Sequence, residues 1–108
     1  MLLMPSKTEP CGLSQMIALR YGSIPIVRET GGLKDTITDC GGEDGNGFTF
    51  KSYNAHDMLD ACLRAKARYE DKDAWGQLVR RAMLCDNSWK KAAGAYAELY
   101  NEILQLWE

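Results

Sequence analysis

Residues 2–27 read LLMPSKTEPCGLSQMIALRYGSIPIV, and this stretch decides the fold class. Leu2 to Met4 is a short apolar run that stops at Pro5. Leu13 to Tyr21 then reads as a helix: Leu13, Met16, Ile17 and Arg20 recur at helical spacing, and Gly22 is placed to end it. Ile24 to Val27 is a second apolar run and reads as a buried strand despite Pro25. Strand, helix, strand is a βαβ unit, whose two strands run parallel. A first strand that starts at residue 1 and is nearly over by residue 4 is oddly short, and predicts a chain cut from something longer.

Downstream, Gly31-Gly32 breaks the chain and Lys34 to Thr38 is read as a short helical turn. Asp39 to Gly47 holds four glycines and two aspartates, the composition of a flexible loop. Gly47-Phe48-Thr49-Phe50 has the propensity of a third short strand. The rest is helical. Asn54 is placed to cap a helix to about Tyr69, with Met58, Leu59, Cys62, Leu63 and Lys66 on one side. Asp73 is the expected cap of the next, striped by Trp75, Leu78, Val79, Ala82 and Met83. Ser88 is the expected cap of the last, where Trp89, Ala92, Ala93, Tyr96, Leu99, Tyr100, Ile103 and Trp107 recur at intervals of three and four. The expected fold is therefore α/β. It has three short parallel strands, near residues 1–4, 24–27 and 47–50, and four main helices.

A chain of 108 residues is one domain or part of one. Apolar residues make up 45% and charged residues 26%, as in an ordinary globular protein, and the net charge is −2. Acids and bases are mixed along the chain, so the basic stripe of a nucleic-acid binder is missing. No apolar run approaches the ~20 residues that span a bilayer, and the N-terminus does not read as a secretory signal. Cys11, Cys40, Cys62 and Cys85 lie 29, 22 and 23 residues apart, without the short spacing of a zinc site or redox pair. Buried thiols in a reducing, cytoplasmic setting are the expectation.

In open parallel sheets ligands bind at the carboxyl ends of the strands. Two loops leave those ends: PSKTEPCG, Pro5 to Gly12, and RETGGL, Arg28 to Leu33. The first runs into a helix start at Gly12-Leu13-Ser14, where N–H groups and the helix dipole suit an anion such as a diphosphate. Glycine there lets a ligand approach the backbone. Glu9, just ahead, is a carboxylate able to accept hydrogen bonds from sugar hydroxyls. The plain alternatives are a solvated loop acid at Glu9 and a turn glycine at Gly12. His56 reads as a surface histidine and Lys90 and Lys91 as a solvated face. Trp75, Trp89 and Trp107 fall on apolar stripes and read as core packing.

The string PSKTEPCGLSQMIALRYGSIPIVRETGGLKDTI resembles the donor-site segment of bacterial glycogen synthases and plant starch synthases. GFTF at 47–50 and DNSWKKAAGAYAELY at 86–100 are similar to later landmarks of the same family, in the same order. The resemblance implies a two-domain GT-B glycosyltransferase with facing Rossmann-like domains. This chain would be the C-terminal portion of the nucleotide-sugar-binding domain, a partial Rossmann-like parallel sheet. The implied reaction is retaining transfer of glucose from ADP-glucose to the non-reducing end of an α-1,4-glucan, with no cofactor and no metal. Glu9 matches the acid that contacts the donor glucose and is the catalytic candidate. Cys11, Gly12, Leu13 and Ser14 match the stretch around the glucose, diphosphate and ribose.

Ser14 departs from the threonine or asparagine common there. Ile17 stands where relatives in the wider superfamily carry a second glutamate, and Asn87 replaces a usual phenylalanine. The resemblance also implies partners: the nucleotide-sugar donor, the glucan, and an N-terminal part of the same protein onto which the final helix, 88–107, would cross. The family's diphosphate-neutralising arginine and lysine have no match here. A stand-alone glucan-binding or protein-interaction module is the alternative, and an open reading frame continuing upstream of Met1 would discriminate against it.

Overall fold

The computed structural model describes residues 1–41 and 44–107. In chain order the elements are β1 (Leu2–Met4), α1 (Ser14–Arg20), β2 (Pro25–Arg28), α2 (Gly31–Thr36), β3 (Phe48–Phe50), α3 (Ala55–Glu70), α4 (Lys72–Leu84) and α5 (Trp89–Gln105). The three strands form one sheet in the order β1-β2-β3. Both pairings are parallel, with Leu3 opposite Ile26 and Val27 opposite Thr49. The expected α/β layer of parallel strands is what forms.

The central strand explains the core. Ile24, Pro25, Ile26 and Val27 are all buried, as expected of a strand with neighbours on both edges and helices above it. Leu19, Leu33, Ile37, Phe48, Phe50, Leu78 and Ala82 close around it. α1 packs on β1 and β2, α3 on β2 and β3, and α4 bridges α1 and α3. Gly22 ends α1 at φ +73°, the left-handed conformation expected there.

Several expectations are corrected. α3 is capped as expected, by Asn54 accepting from the Asp57 N–H at 2.8 Å. α4, however, starts at Lys72, and its cap is Asp71, which accepts from the Ala74 N–H at 3.1 Å, while Asp73 lies in the first turn. α2 begins at Gly31, ahead of the predicted Lys34. Of the expected face of α3, Met58 and Cys62 pack half-buried against the core, Leu59 and Leu63 are exposed, and the fully buried residues are Ala61 and Ala65. Small side chains let the helix sit close to the sheet. α1 buries Gln15, Ala18 and Leu19, and its expected face is turned outward, with Leu13 and Ile17 exposed.

Of the predicted flexible loop, Gly42 and Glu43 lie outside the described residues. Its described ends are tied down. Asn46 is buried, accepts from the Thr38 N–H at 2.8 Å and donates to the Thr36 carbonyl at 3.1 Å. Asp39 accepts from the Thr49 and Gly41 N–H groups at 2.8 Å each and from the Arg64 guanidinium at 2.9 Å. Arg64 in turn donates to the Thr49 carbonyl at 2.7 Å, which pins α3 to β3.

α5 buries no residue and packs against no other element among the described residues. Trp89 and Trp107 are 86% and 87% exposed, so the reading of these two as core packing is corrected. Trp75 does pack, half-buried against the core and edge-on to Tyr69. The cysteines are unpaired, with Cys40 buried, Cys62 and Cys85 half-buried and Cys11 exposed.

Candidate functional site

Strand geometry brings the two candidate loops side by side. β1 and β2 are parallel neighbours, so the chain leaves both at the same edge. The Pro5–Gly12 loop then leads into α1 and the Glu29–Thr30 connection into α2. The loops touch through backbone. The Gly32 N–H donates to the carbonyls of Glu9 and Pro10 at 3.1 and 3.2 Å. A Cβ on Gly31 would overlap the Glu9 carbonyl, and one on Gly32 would overlap that of Cys11. Glycine is required at both positions by this approach.

Glu9 is half-buried, and its Oε2 accepts from the Ser6 hydroxyl at 3.3 Å. Gly12 turns the chain at φ +71°, where its Cα faces the Glu9 side chain. A left-handed residue here is what glycine supplies without steric cost. Cys11, Leu13 and Ser14 are exposed. The first turn of α1 carries no side-chain cap: Leu13 holds the cap position and cannot accept from an N–H. The predicted residues Glu9, Cys11, Gly12, Leu13 and Ser14 therefore form one continuous rim at the carboxyl edge of the sheet. The Glu9 side chain lies against Gly12, just ahead of a helix start that has no side-chain cap.

Three residues to which the sequence reading gave no individual role hold this rim. Arg28, at the end of β2, donates to the Lys7 carbonyl at 2.9 Å and, at 3.5 Å, to that of Ser6, with its guanidinium 5.6 Å from the centre of the Tyr53 ring. Gln15 is fully buried, and its amide nitrogen donates to the Gly12 carbonyl at 2.9 Å and the Cys11 carbonyl at 3.2 Å. Thr36 accepts from the same amide at 3.2 Å and donates to the Gly32 carbonyl at 2.7 Å. A signal for Gln15 existed: it shares the 15, 18, 19 helical spacing with Ala18 and Leu19.

Among the described residues no group of three His, Cys, Asp or Glu is arranged to hold a metal. His56 is exposed, as are Lys90 and Lys91. Burial pushes the Cys40 thiol above its ordinary value. Asp39 belongs to the scaffold. Burial alone would raise its pKa, but the Arg64 guanidinium and the Thr49 and Gly41 N–H groups outweigh it and hold the carboxyl below its ordinary value.

No protein-family model matches the chain. It is 58% identical to the glycogen synthase of Bacillus cytotoxicus (strain DSM 22905 / CIP 110041 / 391-98 / NVH 391-98), an alignment covering 98% of this chain and 23% of the relative. It is 57% identical to the glycogen synthase of Clostridium novyi (strain NT), over 99% of this chain and 23% of the relative. Among solved structures it matches the catalytic domain of starch synthase IV from Arabidopsis thaliana, bound to ADP and acarbose. That match has a TM-score of 0.84 and 44% identity, and covers 93% of this chain and 22% of the other. The chain thus spans less than a quarter of the length of these relatives.

Proposed function

We propose, from the premise that this chain belongs by sequence to the glycogen and starch synthase family, that it supplies one wall of a nucleotide-sugar site. In this reading it acts within a longer retaining glucosyltransferase. That enzyme moves glucose from ADP-glucose to the non-reducing end of an α-1,4-glucan. The observation that carries the proposal is the rim from Glu9 to Ser14, which sits at the carboxyl edge of a parallel sheet and in which half-buried Glu9 precedes a helix start with no side-chain cap. ADP and acarbose, bound to the starch synthase IV relative, are the donor-product and glucan-like chemistry that such a rim would meet.

Each residue has a chemical task in this account. The Glu9 carboxylate accepts hydrogen bonds from donor glucose hydroxyls and fixes the sugar for reaction. Gly12 brings backbone close to the ligand, and the amides at Leu13 and Ser14 face the diphosphate. Cys11 and Ser14 line the glucose and ribose. Such transfer depends on charges set in place where the leaving diphosphate develops its own, and the cations that do this lie in other parts of the family's fold. The final helix, 88–107, with its exposed Tyr96, Tyr100 and Ile103, would pack on the family's N-terminal domain. The setting is cytoplasmic; no helix of the described residues is long and apolar enough to cross a membrane.

The test has two arms. The native-length protein should transfer labelled glucose from ADP-glucose to glycogen. The 108-residue chain by itself should transfer none and bind the donor weakly. A calorimetric dissociation constant tighter than about 10 μM for ADP-glucose, UDP-glucose or a maltooligosaccharide, near −7 kcal/mol, would favour the self-sufficient module instead.

A further inference from the structure

We propose that Gln15 and Thr36 are positioning residues that hold the Glu9 loop in its ligand-receiving shape, an inference that rests on the donor-site reading above. The loop has left the β-ladder, so its carbonyls need partners elsewhere. Gln15 provides them from beneath, through the Cys11 and Gly12 carbonyls, and passes on to Thr36. Thr36 donates to the Gly32 carbonyl, and the Gly32 N–H donates back to Glu9 and Pro10. The bonds run in a closed circuit from Glu9 through Gly32, Thr36 and Gln15 to Gly12. Arg28 fixes the other end of the loop at Ser6 and Lys7.

The directions of these bonds are determined. The Thr36 hydroxyl spends its proton on Gly32 and must accept from Gln15. Two main-chain carbonyls face the same nitrogen, so only the NH2 end of the amide fits there, and its two N–H groups are shared among three acceptors. The Gln15 Oε1 is then buried with no partner among the described residues. An unsatisfied buried acceptor costs stability, and an apolar side chain of similar length would avoid that cost. What the amide contributes instead is a fixed loop. Gly12 Cα sits against this amide, with room for no Cβ, so displacement of Gln15 moves the residue next to Glu9.

The variants are Gln15→Met, Thr36→Val, which deletes the hydroxyl and keeps the shape, and Thr36→Ser, which keeps the hydroxyl. In the 108-residue chain, amide exchange at Gly32 should speed up about tenfold or more in the first two, with β2 amides within about twofold of wild type. Thr36→Ser should stay near wild type. In the native-length protein, the KM for ADP-glucose should rise about tenfold in the first two, with the KM for glucan unchanged. A smaller folded fraction would lower the rate but move neither KM. Unchanged exchange at Gly32 with transfer intact overturns the clamp and leaves the donor-site reading standing. So does a Thr36→Ser variant as impaired as Thr36→Val. Failure of the wild-type native-length protein to use ADP-glucose overturns the donor role of the loop, whatever the amides do. If Gln15→Met does not fold, the Thr36 pair decides.

Discussion

Replacing Gly32 by alanine isolates the contact between the two loops. Gly32 lies in the first turn of α2, and its φ is not left-handed, so alanine suits the backbone there. Helix propensity alone would make Gly→Ala stabilising by about 0.5–1 kcal/mol. The surroundings oppose it. The new Cβ would overlap the Cys11 carbonyl and lie 2.7 Å from the Cys11 Cα. Carbon atoms pack best near 3.5–4.0 Å, so the loop must retreat by at least about 1 Å, and further to clear the carbonyl. Overpacking of this kind costs about 1–3 kcal/mol. The retreat also stretches the bonds from the Gly32 N–H to Glu9 and Pro10, at about 0.5–1.5 kcal/mol. The net expectation is a destabilisation of about 2 kcal/mol, or roughly a 10 °C lower Tm for a domain of this size. Gly76 is the internal control: it lies in α4 with nothing within 4 Å of a would-be Cβ. Gly76→Ala should therefore raise the Tm by a few degrees, about 4 °C. Thermal unfolding followed by circular dichroism, with urea midpoints as a check, measures both. A Gly32→Ala variant as stable as wild type would refute the claim that the RETGGL segment templates the Glu9 loop.

Asp39 predicts an acid limb. Its native pKa is depressed, so the unfolded chain takes up the proton first and the stability is present above the ordinary carboxylate value, about 4, and lost as pH falls through the native one. Urea midpoints should drop between pH 5 and pH 3 in the wild type, and drop less in Asp39→Asn; equal drops would remove Asp39 from the account. Leu78→Ala should cost about 2–5 kcal/mol, since Leu78 is fully buried in α4. In the isolated chain Ile103→Ala should cost under about 0.5 kcal/mol, because α5 packs on no other element among the described residues. A similar loss for both, read from chemical denaturation, would mean that α5 is part of the core in solution.

The strands were legible because each is an apolar run short enough to exclude a helix, and because a βαβ unit dictates parallel pairing. The α4 face was legible in Trp75, Leu78, Val79 and Ala82, which meet the core, while Met83 on the same stripe is exposed. In α3 the fully buried residues are Ala61 and Ala65. A close approach selects small residues, and a hydrophobic period counts Leu59 and Leu63 instead. In α1 a glutamine occupies the centre of the buried face because backbone carbonyls sit opposite it, and no periodicity records a carbonyl. α5 shows the converse: its stripe recurs at helical spacing, yet Trp89 and Trp107, which that spacing assigns to a core, are not reached by one. The position of Glu9 followed from strand ends and a helix start. The supporting role of the second loop did not, because it rests on two glycines whose function is to present no side chain at all.

Turnover of Glu9→Ala in the native-length protein tests the central claim most directly. Glu9 is half-buried, and its one side-chain hydrogen bond among the described residues, with Ser6, is at the long limit of 3.3 Å, so its loss should leave the fold intact. Glucosyl transfer from ADP-glucose to glycogen should fall by orders of magnitude, with the Tm nearly unchanged. A variant that keeps more than about a tenth of wild-type turnover, less than ~1.4 kcal/mol of barrier, would contradict the assignment of Glu9 as the acid that holds the donor sugar.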